Sequence, residues 1–341
     1  MSTSTATAEQ LNLPEAPPIQ GLSFRRFRGP SDYPHMVAVI DASKVADQIE
    51  RTDTVEGLTA NYAHLNNCDP YQDMLFAEVN GEVIGYSRVM WDKEPDGLRV
   101  YTLFGFLKPA WRRKGIGRAM LRANERRLRE IAADHPHDGE RVFSSWAEDT
   151  AVANEALLLS EGYQRIRDSY DMLRPDLDNL PAFELPAGLE VRPVTPDQYR
   201  AIWDADLEAF RDHWGFAPPT DIEEAYRAWL AFPHFQPELW RVAWDGDQVA
   251  GQVRSFINHD ENAEYKRLRG YTEFISVRRP WRKHGLARAL IVQSLAGLKA
   301  HGMIEAALGV DAENISGALR VYESCGFRVV KRSSIYRKPF D

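Results

Sequence analysis

Short runs of alternating apolar and polar positions, joined by a turn pair, occur twice along the chain. Leu75-Phe-Ala-Glu-Val and Glu82-Val-Ile-Gly-Tyr flank Asn80-Gly81, a strong signal for a two-residue hairpin. Leu239-Trp-Arg-Val-Ala-Trp and Gln248-Val-Ala-Gly-Gln-Val flank Asp245-Gly246 in the same manner. Each hairpin is followed by a third apolar strand and then by a helix. In the second helix Ile291, Leu295 and Leu298 fall at i, i+4 and i+7, a stripe suited to packing on a sheet. Another strand follows in each half, Arg141-Val-Phe-Ser-Ser-Trp or Ile304-Glu-Ala-Ala-Leu-Gly-Val, then a short helix. The pairs Gly162-Tyr163 and Gly326-Phe327 close the two helices, because glycine accepts the left-handed conformation that ends a helix.

Leu22-Ser-Phe-Arg-Arg-Phe opens the first half and Leu189-Glu-Val-Arg-Pro-Val-Thr the second. The order strand, helices, three strands, helix, strand, helix, strand predicts an α/β protein of the α+β kind, with helices on the faces of a mixed sheet, in two tandem domains. Residues 1–20, rich in Ser, Thr, Ala and Pro without periodicity, read as a disordered tail. The first domain is expected over 21–174 and the second over 189–341, with a semi-rigid linker at 175–188 that holds three prolines.

The duplication is most explicit in Tyr101–Ala119 and Tyr271–Ala289, which lie 170 positions apart and share eight identities: Tyr, Thr, Phe, Trp, Arg, Gly, Arg and Ala. Each copy is an apolar strand running into Arg-x-x-Gly-x-Gly/Ala and a helix. Such a turn presents backbone N–H groups to a phosphate at the positive end of the helix dipole. Small residues, Gly115 and Gly117 or Gly285 and Ala287, let the backbone approach closely.

Composition narrows the functional classes. A chain of 341 residues suits two domains of about 160 each. No apolar run approaches the roughly 18 residues of a membrane span. The net charge of −8 opposes general nucleic-acid binding, which rests on Lys and Arg neutralising phosphates. Cys68 and Cys325 are too few for a disulfide framework or a metal site, so no metal is expected. The amino terminus lacks the basic and apolar regions of a signal peptide, and a cytoplasmic location is the expectation.

With Arg282-Lys-His-Gly285-Leu-Ala287, Val310-Asp-Ala-Glu-Asn314 and Leu319-Arg-Val-Tyr322-Glu-Ser-Cys-Gly326-Phe327, the second half resembles the GCN5-related N-acetyltransferase (GNAT) superfamily. The resemblance runs from about residue 22 to the end of the chain. The tandem arrangement with a degraded first copy is also similar to the mycothiol synthase group. The resemblance implies acetyl-CoA as co-substrate and acetyl transfer to an amine. It implies that the N–H groups of Arg282, Lys283, His284, Gly285, Leu286 and Ala287 hold the pyrophosphate. Arg278, Arg279, Lys283 and His284 would add charge there, although each also reads as a solvated surface cation. Ile275, Ser276 and Val277 would offer peptide groups to the pantetheine arm, with an N–H near Ile275 polarising the thioester carbonyl. Asn314 would contact the coenzyme, a role compatible with capping the following helix. Tyr322 would protonate the departing thiolate; otherwise it is a core tyrosine. Glu273 would take a proton from the incoming ammonium, or be a substrate-binding charge or an exposed strand residue.

The first copy departs from the pattern where chemistry would occur. Alignment sets Leu103 against Glu273, Leu158 against Tyr322 and Thr150 against Asn314. Its turn keeps Arg112, Gly115 and Gly117, so this domain is expected to be non-catalytic, either binding acetyl-CoA without turnover or serving as structure. On the acceptor side, Asp204, Asp206, Glu208 and Asp212, with Trp203 and Phe210 among them, read either as a cation site or as a solvated acidic helix face. Asp212, His213 and Trp214 are the acceptor candidates carried forward. The expectation is an N-acetyltransferase acting on a small-molecule primary amine through its second domain, as monomer or homodimer, without nucleic-acid or membrane partners. The rivals are a protein or peptide N-acetyltransferase and a non-catalytic acyl-CoA sensor.

Overall fold

The computed structural model describes residues 9–314 and 317–340. The chain forms two compact units, the first comprising Met1–Ile166 and Ser334–Asp341, the second Arg167–Ser333. No helix among the described residues is long and apolar enough to cross a membrane.

In the first unit the chain runs through β1 (Gln10–Leu11), β2 (Leu22–Arg25), α1 (Tyr33–Asp47), α2 (Val55–Tyr62), α3 (Pro70–Asp73), β3 (Met74–Val79), β4 (Glu82–Lys93), β5 (Arg99–Leu107), α4 (Ile116–Ala133), β6 (Arg141–Glu148) and α5 (Val152–Ser160). The sheet order is β1-β2-β3-β4-β5-β6, antiparallel up to β5 and parallel between β5 and β6. Asn80 and Gly81 have φ of 50° and 83°, both positive as the tight hairpin turn demands. Of the expected disordered tail, residues 1–8 lie outside the described residues, and 9–20 are ordered. Gln10 pairs with Arg25, Leu13 is buried with Leu11 and Ile19 beside it, and Glu15 pairs with Arg126 at 2.6 Å. A composition poor in periodicity concealed three apolar side chains that reach the core.

In the second unit come β7 (Gln164–Arg174, from Arg167 on), β8 (Glu190–Arg192), α6 (Tyr199–Phe210), α7 (Ile222–Leu230), β9 (Arg241–Asp245), β10 (Gln248–Phe256), α8 (His259–Tyr265), β11 (Arg269–Val277), α9 (Leu286–Ala300), β12 (Glu305–Asp311), α10 (Ala318–Ser324) and β13 (Arg328–Pro339, to Ser333). The order is β8-β9-β10-β11-β12-β7, in which β8 to β12 repeat β2 to β6 of the first unit, with the parallel pair again last, and β7 lies antiparallel beside β12. The predicted stripe on α9 is buried completely, Ile291, Leu295 and Leu298 being inaccessible to solvent. Each such side chain contributes about 1.5–3 kcal/mol on burial, enough to dock the helix firmly on the sheet. The helix α8 was not predicted, although Asn258 accepts the Glu261 N–H at 3.0 Å, a cap that Asn-x-x-Glu advertises.

The division differs from the expected boundaries at 174 and 188. Ser169–Arg174 pair with Asp311–Ala306 of β12 and so belong to the second unit's sheet. Leu177 is buried, and Leu180, Phe183 and Leu185 pack on the same core, so residues 175–188 cover the second unit rather than span freely. Conversely, the chain from Ser334 completes the first unit. Phe340 stacks on Phe143 at 4.6 Å, and Lys338 pairs with Glu125 at 2.8 Å. Strand pairing over long sequence separations decides such membership, and local pattern does not encode it.

Candidate active site

In the second unit, β11 is interrupted where the two halves of the chain diverge most. Gly251 and Gln252 of β10 pair with Val277 and Ser276, and Arg254 pairs with Glu273, so Phe274 and Ile275 together oppose Val253. This is a bulge: one extra residue turns the strand and redirects its peptide groups. Phe274 has φ of 49°, a left-handed conformation that costs a non-glycine residue about 1–2 kcal/mol. The first unit has no counterpart, since β4 and β5 stay in one register from Gly85↔Leu107 to Lys93↔Arg99.

Beside the bulge the sheet opens. β11 pairs with β12 from Arg269↔Glu305 to Tyr271↔Ala307, whereas β12 goes on pairing with β7 as far as Asp311↔Ser169. Glu273 reaches across the resulting gap, its Oε1 accepting the Gly309 N–H at 2.8 Å. Loss of water pushes the Glu273 carboxyl up to about 8; the Gly309 N–H opposes this rise and the charge of Asp171 adds to it. Tyr322, on α10, is 8% exposed. Burial raises its phenol well above the ordinary value, and the nearby Glu273 charge raises it further. The carboxyl singled out in the sequence thus acts through its charge on the phenol singled out with it. One can shed or take a proton near neutral pH, and the other stays protonated. Their aligned residues, Leu103 and Leu158, are buried in the first unit's core.

The turn before α9 has the shape expected of an anion cradle. Lys283 and Gly285 have φ of 66° and 86°, on either side of His284, and this alternation makes successive N–H groups converge. No side chain caps α9, which leaves the N–H groups of Leu286 and Ala287 available at the end of a 15-residue helix. Lys283 and His284 are exposed, and a methyl group added at Gly285 would meet nothing within 4 Å. Arg282 serves differently from expectation. Its Nε donates to the Val277 carbonyl at 2.8 Å, and its terminal nitrogens bind Asp212 and the Ala209 carbonyl. Its guanidinium anchors the turn to the strand end and to α6, and its backbone N–H, expected to face the pyrophosphate, donates instead to the Arg279 carbonyl at 3.3 Å.

The first unit keeps this turn, with Arg113 and Gly115 at φ of 63° and 87° and Arg112 bound to the Leu107 carbonyl and to Asp47. Its own chain lies over it, however: a methyl group on Gly115 would stand 3.4 Å from Pro17 Cβ. Gly117 faces Leu157 at a similar distance, 3.3 Å.

Of the acceptor candidates, Asp212 is the one that the structure takes away. Asp212 is taken by Arg279 and Arg282, which hold its carboxyl well below the usual range. The other acids of α6 are likewise bound to arginines: Asp204 to Arg200, Asp206 to Arg254 and Glu208 to Arg278. The helix offers no free carboxylate to a cation, because Asp206 and Glu208 find partners on distant strands or turns and Asp204 pairs with Arg200 one turn back on α6 itself. Ser276 donates its hydroxyl to Asp206 at 2.8 Å, so only its backbone faces the gap. His213 packs on Phe210 with ring centroids 4.3 Å apart, and burial with the Arg282 charge lowers its pKa. Trp214 lies under the Arg167 guanidinium at 4.8 Å, and Arg167 pairs with Asp311 at the end of β12. Asn314 does not cap α10; Gly317 holds that position, and its N–H donates to the Asn314 carbonyl at 3.1 Å. No group of three His, Cys, Asp or Glu able to hold a metal occurs among the described residues. Composition hid the aromatic cluster around Arg254, because Trp229, Phe232, Trp240, Phe256 and Phe274 come from four separate segments.

Comparison with known proteins agrees with this geometry. Residues 199–327 match the acetyltransferase (GNAT) family and residues 70–164 an acetyltransferase (GNAT) domain. A mycothiol acetyltransferase from Thermobifida fusca is 30% identical over 71% of this chain and 74% of its own. Another from Geodermatophilus obscurus is 28% identical over 75% of this chain and 79% of its own. The crystal structure of a GCN5-related N-acetyltransferase from Sphaerobacter thermophilus superimposes with a TM-score of 0.71 at 25% identity, covering 94% of this chain and 96% of that one.

Proposed function

The chain belongs to the GCN5-related N-acetyltransferase family, and on that premise we propose that it acetylates the primary amine of a small molecule, with the chemistry in its second unit. The observation that carries the reading is a carboxyl, Glu273, beside a bulge and an open strand gap, with the Tyr322 phenol within range of its charge, a set the first unit lacks.

Acetyl-CoA supplies the acetyl group as a thioester. The N–H groups from Lys283 to Ala287 fit its pyrophosphate, with Lys283 and His284 adding charge and Arg282 fixing the turn. Along the gap, the backbone of Ile275, Ser276 and Val277 has no β12 partner among the described residues, so it can pair with the pantetheine amides. The Ile275 N–H, turned by the bulge, donates to the carbonyl oxygen as charge develops on it. Glu273 takes the proton of the incoming ammonium, since only the neutral amine attacks. Tyr322, held protonated, returns a proton to the departing sulfur. Asn314 stands beyond β12 as a further coenzyme contact.

That the relatives are mycothiol acetyltransferases favours a small acceptor over a protein. The test is release of free thiol from acetyl-CoA with a panel of amines, comparing wild type with Tyr322→Phe. Turnover that falls about 10²-fold in the variant supports the reading. Tight acetyl-CoA binding without turnover across the panel would replace it with a sensor.

A further inference from the structure

The second unit holds a cavity of about 180 Å³ that the groups above do not use. Trp229, Phe232, Phe235, Trp240, Phe256 and Phe274 wall it, and Arg254 is its charged member. The size is informative: an apolar cavity of about 150 Å³ accommodates one benzene ring. So is the polarity. Arg254 is only 6% exposed, with its charge met by Asp206, and its guanidinium lies 4.4 Å from the Phe274 ring. Arg254 Nε and Trp229 Nε1 are buried without hydrogen-bond partners, so this corner is left unfinished by the protein's own groups.

Position connects the cavity to the chemistry. Arg254 stands directly opposite Glu273 in the β10–β11 ladder, so the two side chains share one face of the sheet. Phe274, the next residue, is both the bulge and a cavity wall. A ring seated among these aromatics would lie beside the strand position that carries Glu273, so a short tether would join it to the reacting amine. Other amine classes fit poorly. A polyamine would find no carboxylate among the residues that line the cavity, and a guanidinium already there to repel it. An amino sugar would surrender the hydration of several hydroxyls to mostly aromatic walls, which offer it only Arg254, Trp229 Nε1 and His234 as polar partners.

We propose that this cavity seats an aromatic ring of the acceptor, making short-tethered arylalkyl amines the substrate class. The inference rests on the reading that Glu273 receives the amine proton, and it commits to more than that reading does.

The test uses the full chain, acetyl-CoA and matched amines: phenethylamine and tryptamine against butylamine, spermidine and glucosamine. Ala228, on α7, lines the cavity without touching Glu273 or Tyr322, and Ala228→Leu fills it. Wild type is expected to favour phenethylamine over butylamine by about 10- to 200-fold in kcat/KM, the range a hydrophobic pocket can supply. Ala228→Leu is expected to erase that preference while leaving butylamine turnover intact, which also reports that the variant folds. Turnover without an aryl preference, or a preference unmoved by Ala228→Leu, overturns the cavity's role and leaves the acetyltransferase reading standing. If no amine turns over, that reading fails, and calorimetric titration with phenethylamine decides the cavity separately. Binding lost in Ala228→Leu upholds it, and absence of binding to wild type rejects it.

Discussion

Glu273 Oε1 accepts the Gly309 N–H at 2.8 Å across the point where β11 and β12 have ceased to pair. The bond steers the carboxyl of a strand residue into the gap between two strands of its own sheet, and it leaves Oε2 free for a proton from elsewhere. Burial keeps that carboxyl protonated to about pH 8.

If Glu273 is the base, as proposed, a carboxyl with this pKa dictates a pH profile. With a strongly basic amine at fixed total concentration, kcat/KM rises as pH passes through about 8. Glu273→Gln should lower it by about 10²-fold and remove that limb while keeping the dependence due to the amine itself.

The same shift has a sign for stability. The folded protein keeps the Glu273 proton at pH values where the unfolded chain has released it. Its contribution to stability is therefore complete below the ordinary carboxyl range and is lost as pH rises through about 8. Urea midpoints of wild type, measured against Glu273→Gln, should decline from pH 5 to 9.

Tyr322→Phe removes one oxygen from a buried ring that packs edge-on to Phe327 at 6.5 Å. The ring stays, so KM for acetyl-CoA should change by no more than about threefold while kcat falls about 10²-fold. Leu158→Tyr in the first unit should create no second activity, because that unit lacks the bulge and the carboxylate.

Gly285→Ala and Gly115→Ala form a matched pair. Each glycine has φ near 86°, and alanine there should cost about 1–2 kcal/mol whatever the space around it. Gly285→Ala should also raise KM for acetyl-CoA, whereas Gly115→Ala should leave it unchanged, since Pro17 already lies on that turn. Thermal melts and initial rates separate the two effects.

Arg25 is fully buried between Asp32 and Glu78, at 2.8 and 2.6 Å. Arg25→Met leaves buried Asp32 without its cation and Glu78 with Arg28 alone, at 3.3 Å, and the first unit should lose about 3–5 kcal/mol. Denaturant unfolding followed by circular dichroism measures the loss.

Much of the architecture is legible in the residues. The Asn80-Gly81 turn and the α9 stripe are local patterns that determine their own conformations. The bulge is a different matter. Phe104 and Phe274 are the same residue at the same place in the repeat, yet Phe104 sits opposite Arg88 in a regular ladder and Phe274 is left-handed. Register belongs to two strands together, so no reading of one of them finds it. Asp212 failed as an acceptor candidate for a like reason, since Arg279 and Arg282 lie some 70 positions away in the chain.

By itself the sequence determined the duplicated order of strands and helices, the glycine turn ahead of α4 and of α9, and the first copy's replacement of a carboxyl and a phenol by leucines. Those features depend on residue type at short spacing, where backbone preference and hydrophobic period act directly. Only the tertiary structure decided that Glu273 turns to the Gly309 N–H with its charge acting on Tyr322, that the acids of α6 are spent on arginines, and that aromatics from separate segments enclose a cavity beside the bulge. These outcomes depend on which distant side chains share a desolvated space, where pairing sets both the charge a group can carry and the ligand it can meet.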